Sequence, residues 1–91
     1  MAQTITLREL QVRLMDFHAD PEERHGDRVI AHDIYSVLDD DINDSGRRPS
    51  VRMAMWSAPV TKTYIAALVG EVLPDSWRDD AIAMLERVAG L

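Results

Sequence analysis

The 91-residue chain contains no cysteine, and this absence excludes several classes of protein together. A disulfide-stabilised scaffold, a zinc site built from thiolates and a cysteine nucleophile all require that residue. No apolar run approaches the roughly 20 residues that cross a bilayer, and no basic segment followed by an apolar one opens the chain. We therefore expect a cytoplasmic protein that does not contact a membrane.

Aromatic residues are also scarce, with two Trp, two Tyr and one Phe. The core must then be built mainly from aliphatic side chains and Met, in a single small domain that spans residues 1–91. A core of this size leaves a narrow margin of stability, which an interface shared between two copies would widen. A symmetric homodimer is therefore one expectation.

Basic residues are outnumbered, and the imbalance is concentrated in one half of the chain. Residues 1–46 contain four Arg and eleven Asp or Glu, a net charge of −7, whereas residues 47–91 contain six Lys or Arg and five Asp or Glu, a net charge of +1. The acidic half would repel a phosphate backbone, so direct binding of nucleic acid is disfavoured. A basic protein surface would instead be attracted to it.

The last third of the chain carries the strongest structural pattern. Its apolar residues recur at the i, i+3, i+4, i+7 spacing of an amphipathic helix in two runs. The runs are Tyr64, Ile65, Leu68, Val69, Val72 and Leu73, then Trp77, Ala81, Ile82, Leu85 and Val88. The break at residues 73–76 is so short that the two helices should form an αα-hairpin, on which the rest of the chain packs.

A capping box marks the start of a helix near the N-terminus, with Thr6 as the cap and Glu9 three residues later. The polar residues 18–26 form a loop, and Asp27 is placed to cap a second helix that ends in the Asp-rich run. Residues 43–50 form another loop, after which Ser50 would cap a short third helix. The last helix would be capped by Asp75 or Ser76.

These elements predict an all-α fold, a small bundle of four to five helices. Alternation of apolar residues at Leu10, Val12 and Leu14 suits a strand as well as a helix. An α+β fold with a short hairpin from residues 7–17 and 29–38 is therefore the alternative. The third helix likewise has a short strand as its alternative.

Two patterns resemble parts of metal sites. Residues 41–46 match the first half of a calcium loop, but the twelfth position is Arg52 where a bidentate Glu is needed. His18, His25 and His32 recur every seven residues, and three neutral imidazoles could share a zinc ion if the loop between them folded back. An acidic turn and surface histidines are the simpler interpretations, so we expect no metal and no cofactor.

The chain offers nothing typical of a catalyst. It has no G-x-S-x-G elbow and no Gly-rich phosphate loop, and a small bundle has little room for a cleft. We therefore expect that the protein is not an enzyme.

Two surfaces are candidates for binding a protein partner. The first is acidic, and its alternative role is solubility alone. The second combines Met, Trp and Arg, types enriched at interfaces, although Met and Trp also fill cores. The acidic candidates are Asp33, Asp39, Asp40, Asp41 and Asp44. The apolar and basic candidates are Arg47, Arg48, Arg52, Met53, Met55 and Trp56.

The leading hypothesis is a non-enzymatic protein-binding module. It would be a small acidic regulator or inhibitor that docks on a larger protein, for example one that itself binds nucleic acid. A calcium- or zinc-responsive helical module is the first alternative. A small helical DNA-binding domain that uses residues 62–73 is the second, weakened because that helix offers no Arg, Asn or Gln to read bases.

Overall fold

The computed structural model describes residues 4–44 and 46–91, and within them the chain folds into five α-helices with no named strand. The helices are α1 (Leu7–Ala19), α2 (His25–Ile42), α3 (Pro49–Trp56), α4 (Lys62–Val72) and α5 (Arg78–Ala89). A single 3₁₀ turn, Asp75–Trp77, precedes α5. The predicted all-α bundle is confirmed, and the α+β alternative is wrong because residues 7–17 and 29–38 are helical.

The most extensive helix pairing is between α1 and α2. Leu10 and Leu14 of α1 and Ile34 and Leu38 of α2 are at most 1% exposed. Val12, which the strand alternative placed on the same face as Leu10 and Leu14, is 51% exposed. The helical period of 3.6 residues explains this, since it turns Val12 away from its two neighbours.

The C-terminal αα-hairpin is present as predicted. Ile65 and Val69 of α4 and Leu85 of α5 are fully buried, and the two helices pack against each other as well as against α2. The hairpin is thus part of the core, but the α1–α2 pair contributes the larger interface. Among the described residues, no helix is both long enough and apolar enough to cross a bilayer.

The predicted starts of three helices are wrong by one to three residues. α2 begins at His25, so Asp27 lies inside its first turn, where a carboxylate interacts favourably with the helix dipole. α3 begins at Pro49, because proline is preorganised for the first helical position. α5 begins at Arg78 without a side-chain cap. Thr6, by contrast, caps α1 as predicted, accepting a bond from the Glu9 amide at 3.2 Å.

The segment before α1 is tied to the connection between α3 and α4. The Val60 amide donates to the Ile5 carbonyl at 2.8 Å, and the Leu7 amide donates to the Ala58 carbonyl at 3.0 Å. These bonds form an isolated antiparallel bridge between Thr6 and Pro59. The bridge fixes α3 beside the start of α1, which positions one of the two candidate surfaces.

Candidate functional site

The three consecutive carboxylates at the end of α2 point in different directions, because successive residues of a helix are rotated by about 100°. Asp39 is half-buried against α1. Its Oδ1 accepts hydrogen bonds from Gln11 Nε2 and Asn43 Nδ2, both at 2.9 Å. Asp39 therefore joins α1 to the end of α2 and is not free for a partner.

Asp41 is paired with the basic loop that follows the helix. Arg47 Nη2 lies 3.3 Å from Asp41 Oδ1, and Arg47 Nε donates to the Asp41 carbonyl at 2.9 Å. Burial raises the pKa of Tyr64 on α4, and the negative charges of Asp41 and Glu71 add to the increase. Both Asp41 and Arg47 thus act within the molecule.

Asp33 and Asp40 remain on the outer surface of α2. They are exposed and seven residues apart, and the partly exposed Val37 lies between them on the same face of the helix. We call Asp33, Ser36, Val37 and Asp40 the carboxylate stripe. Asp40 makes no ion pair and accepts no hydrogen bond within residues 4–44 and 46–91, and the nearest ionisable partner of Asp33 is His32, at 3.9 Å. The stripe is therefore available to a partner.

The position of Asp40 is also electrostatically unfavourable. The last turn of α2 contains Asp39, Asp40 and Asp41 and no basic residue. The C-terminal end of a helix carries partial negative charge, so carboxylates there are repelled by the helix itself. Asp39 and Asp41 are compensated by their hydrogen bonds, whereas Asp40 is not.

The second candidate surface is divided by the fold. Trp56 is only 6% exposed and donates from Nε1 to Asn43 Oδ1 at 3.2 Å, so it belongs to the core. Met55 is partly buried and packs on the same core. Met53, in contrast, is 71% exposed. Arg48 is exposed and Arg52 half-buried.

A residue outside the predicted set completes this surface. The guanidinium of Arg8 lies over the indole of Trp56, 5.0 Å from its centre, and Arg8 and Met53 line the same shallow pocket. Arg8 is 48 positions from Trp56 in sequence. The backbone bridge between Thr6 and Pro59 and the packing of α3 on α1 bring them together, and no local pattern predicts this contact.

The side-chain oxygens of the calcium-like loop already bind donors of the protein itself. Asp44 Oδ1 accepts a bond from the Gly46 amide at 2.9 Å, Asn43 Oδ1 accepts from Trp56, and the Asp41 carboxylate faces Arg47. Ser45, the fifth position of the pattern, lies outside the described residues. Asp41 would be the first ligand of a calcium ion, but the guanidinium of Arg47 already lies beside it and would repel the ion.

The three histidines do not converge. His25 is the exposed first residue of α2, while His18 and His32 lie side by side across α1 and α2. Among the described residues, no cluster of three or more His, Asp or Glu is arranged to hold a metal ion.

Comparison with known proteins gives no match to a protein-family model, to a curated protein or to a solved structure. Function must therefore be inferred from the residues of this chain alone.

Proposed function

We propose that this protein is a non-enzymatic, cytoplasmic protein-binding module whose carboxylate stripe docks on a basic surface of a larger protein. The proposal depends on the position of Asp40. Its carboxylate is exposed at the negative end of α2 and has no partner among the described residues. A neutral or basic residue at this position would stabilise the helix. An unfavourable charge that nothing in the fold compensates is typical of a residue that serves binding.

The geometry of the stripe suits a basic partner. Asp33 and Asp40 are separated by two helical turns, about 10 Å along the axis at about 1.5 Å per residue. Val37, 39% exposed, lies between them and offers an apolar contact flanked by charge. The excess of acids in residues 1–46 would steer a basic surface towards this side of the molecule.

A protein that binds nucleic acid would present such a basic surface. Its occupation by the carboxylate stripe would exclude a phosphate backbone, so the module would act as a regulator or inhibitor by competition. The affinity would then fall as salt concentration rises, because the carboxylates are exposed to screening.

The test is affinity capture from the native host with two charge-matched variants. Asp33→Lys/Asp40→Lys changes the stripe, and Asp16→Lys/Glu22→Lys makes the same change in net charge at exposed residues of α1 and the following loop. We expect the wild-type protein and the Asp16/Glu22 variant to capture a basic protein identified by mass spectrometry, and the Asp33/Asp40 variant to lose it. Capture by all three proteins would mean that the carboxylate stripe is not the binding surface and that the surface around Met53 and Arg8 is the better candidate. Tight binding of DNA at low salt in a gel shift would contradict the proposal as a whole.

Self-association through the terminal hairpin has less support. Ile65, Val69 and Leu85 are already covered within one chain, so the hairpin needs no second copy to bury its apolar stripe. A homodimer would have to form through an exposed surface, such as the one around Met53. Light scattering would reveal it as a doubled mass that Met53→Lys abolishes.

A further inference from the structure

His18 and His32 lie in contact at the junction of α1 and α2, in a place to which the proposed function assigns no role. The centres of their imidazole rings are 4.9 Å apart, and the ring planes are inclined by 44°. Both side chains are exposed, so the pair is accessible from solvent. Neither its sequence spacing nor a helix face predicts the contact, because the two residues come from different helices.

One hydrogen bond holds the ring of His18 and leaves its other nitrogen free. His18 Nδ1 lies 3.2 Å from the carbonyl oxygen of Arg28, which can only accept, so Nδ1 carries the proton and Nε2 keeps its lone pair. His32 Nδ1 lies 3.9 Å from the Asp33 carboxylate, too far for a hydrogen bond, so both of its ring nitrogens remain available within the described residues. A carbonyl or carboxylate behind Nδ1 is the usual outer-shell arrangement of a metal-binding histidine.

The separation of the rings fits two ligands of one ion. A metal–nitrogen bond of about 2.0–2.1 Å and roughly 1.1 Å from nitrogen to ring centre place the metal about 3.2 Å from each centre. With an angle of about 90–109° at the metal, the ring centres would be about 4.5–5.2 Å apart. The observed 4.9 Å falls within this range.

A third donor is present in the same pocket. Its volume is about 350 Å³, and the residues that line it include His18, His32 and Met15, whose side chain carries a thioether sulfur. Met15 precedes His18 by three residues and therefore lies on the same face of α1. Met15 is 50% exposed, and the core does not require it.

We propose that His18, His32 and Met15 form a binding site for one copper ion. Two imidazoles favour copper over the other first-row divalent ions, and a thioether is a soft ligand that suits Cu⁺, whereas the usual zinc ligands are Cys, His, Asp and Glu. Arg28 lies beside the pair, with its Nε donating to the His18 carbonyl, and the Asp33 carboxylate lies 3.9 Å from His32 Nδ1. Water completes the coordination on the open side.

Titration calorimetry and visible absorption with Cu²⁺, using the full chain, test the site. We expect one ion per chain, and about tenfold or weaker binding in His18→Gln and in His32→Gln, since even outer-shell losses cost about 10–100-fold. His25→Gln is the matched control and should bind as the wild type does. With Cu⁺ under reducing conditions, Met15→Leu should weaken binding, because leucine keeps the shape but lacks the sulfur.

Three results would overturn the proposal: unchanged Cu²⁺ binding in the His18→Gln/His32→Gln double variant, an equal loss in His25→Gln, or Zn²⁺ binding as tightly as Cu²⁺. Circular dichroism without metal shows whether each variant keeps the fold. We expect that it does, because the substituted side chains are exposed. Asp40, unlike Asp33, does not neighbour the histidine pair, so Asp40→Lys should leave copper binding unchanged while it weakens docking through the carboxylate stripe.

Discussion

The C-terminal ends of α5 and α2 differ in how they treat the partial negative charge that every helix carries there. α5 carries Arg87 in its last turn, where a cation is favourable, and then turns through Gly90 in the left-handed conformation. The Gly90 amide donates to the Arg87 carbonyl at 3.2 Å, and the Leu91 amide donates to the Glu86 carbonyl at 2.9 Å. These two bonds are a Schellman motif, which satisfies carbonyls that the helix leaves unpaired.

α2 ends without these devices. Its last turn contains three carboxylates, and Asn43 at its C-cap has φ −88°, which is not left-handed. Arg47, from the following loop, brings a positive charge to the Asp41 carbonyl. The comparison indicates that the end of α5 is arranged for stability, whereas the end of α2 keeps a charge that stability alone would remove.

Substitution of Gly90 should give the largest loss of stability in this comparison. Its φ is +73°, a conformation that costs a residue with a Cβ about 1–2 kcal/mol. The nearest atom to an added Cβ is Arg13 Nη1 at 3.5 Å, an ordinary contact, so the cost comes from the backbone. Urea unfolding should show this loss in Gly90→Ala.

Gly26→Ala is the control for that measurement. Gly26 lies in the first turn of α2, and an added Cβ there meets no atom within 4 Å. It should be neutral or stabilise by up to about 1 kcal/mol, because alanine favours the helix. If Gly90→Ala were as stable as the wild type, the Schellman motif would not be what ends α5.

Reversal of the charge at Asp40 should stabilise the protein, in contrast to Gly90→Ala, and by a smaller amount. Asp40→Lys places a cation at the negative end of α2, and we expect a gain of about 0.3–1 kcal/mol that decreases with added salt. Asp33→Lys, in the middle of the same helix, should change the free energy of unfolding less. A loss of stability in Asp40→Lys would mean that the carboxylate supports the fold and is not kept for binding.

Much of this fold follows from local patterns in the sequence. Apolar spacing predicts the two helices of the last third, and the Thr6 cap predicts the start of α1, because both signals depend on residues within one or two turns. Spacing alone does not decide α1 or α3, whose apolar residues suit a strand as well. Trp77 was wrongly assigned to the apolar stripe of the last helix and is 48% exposed. It lies in a 3₁₀ turn, whose period of three residues changes its direction relative to α5.

The surfaces could be predicted only in part. The sequence showed that residues 39–41 are acidic but not which of them is free, since this depends on Gln11 and Arg47, which the tertiary fold brings close. The contacts of Arg8 with Trp56 and of His18 with His32 have the same origin. They join separate helices, and their geometry is fixed by core packing.

The field at the end of α2 should also be measurable through Tyr64 on α4. Burial is the main cause that raises the pKa of its phenol above the ordinary 10.0, and Asp41 and Glu71 add to it. The folded state thus favours the protonated phenol. This contribution to stability is complete below pH 10.0 and is lost as the pH rises through the folded-state pKa.

Phenolate absorbance in a Tyr35→Phe background isolates this titration, because the chain has only two tyrosines. Asp41→Asn should lower the pKa of Tyr64 while leaving it above 10.0, since burial remains the larger cause. Asp40→Asn is the matched control, and its carboxylate is rotated about 100° from that of Asp41, so it should have the smaller effect. An equal decrease in both variants would mean that Tyr64 senses the net charge of α2 and not the direction of one carboxylate. Asp40 would then not differ from Asp41 in its electrostatic effect, and the proposed binding surface depends on that difference.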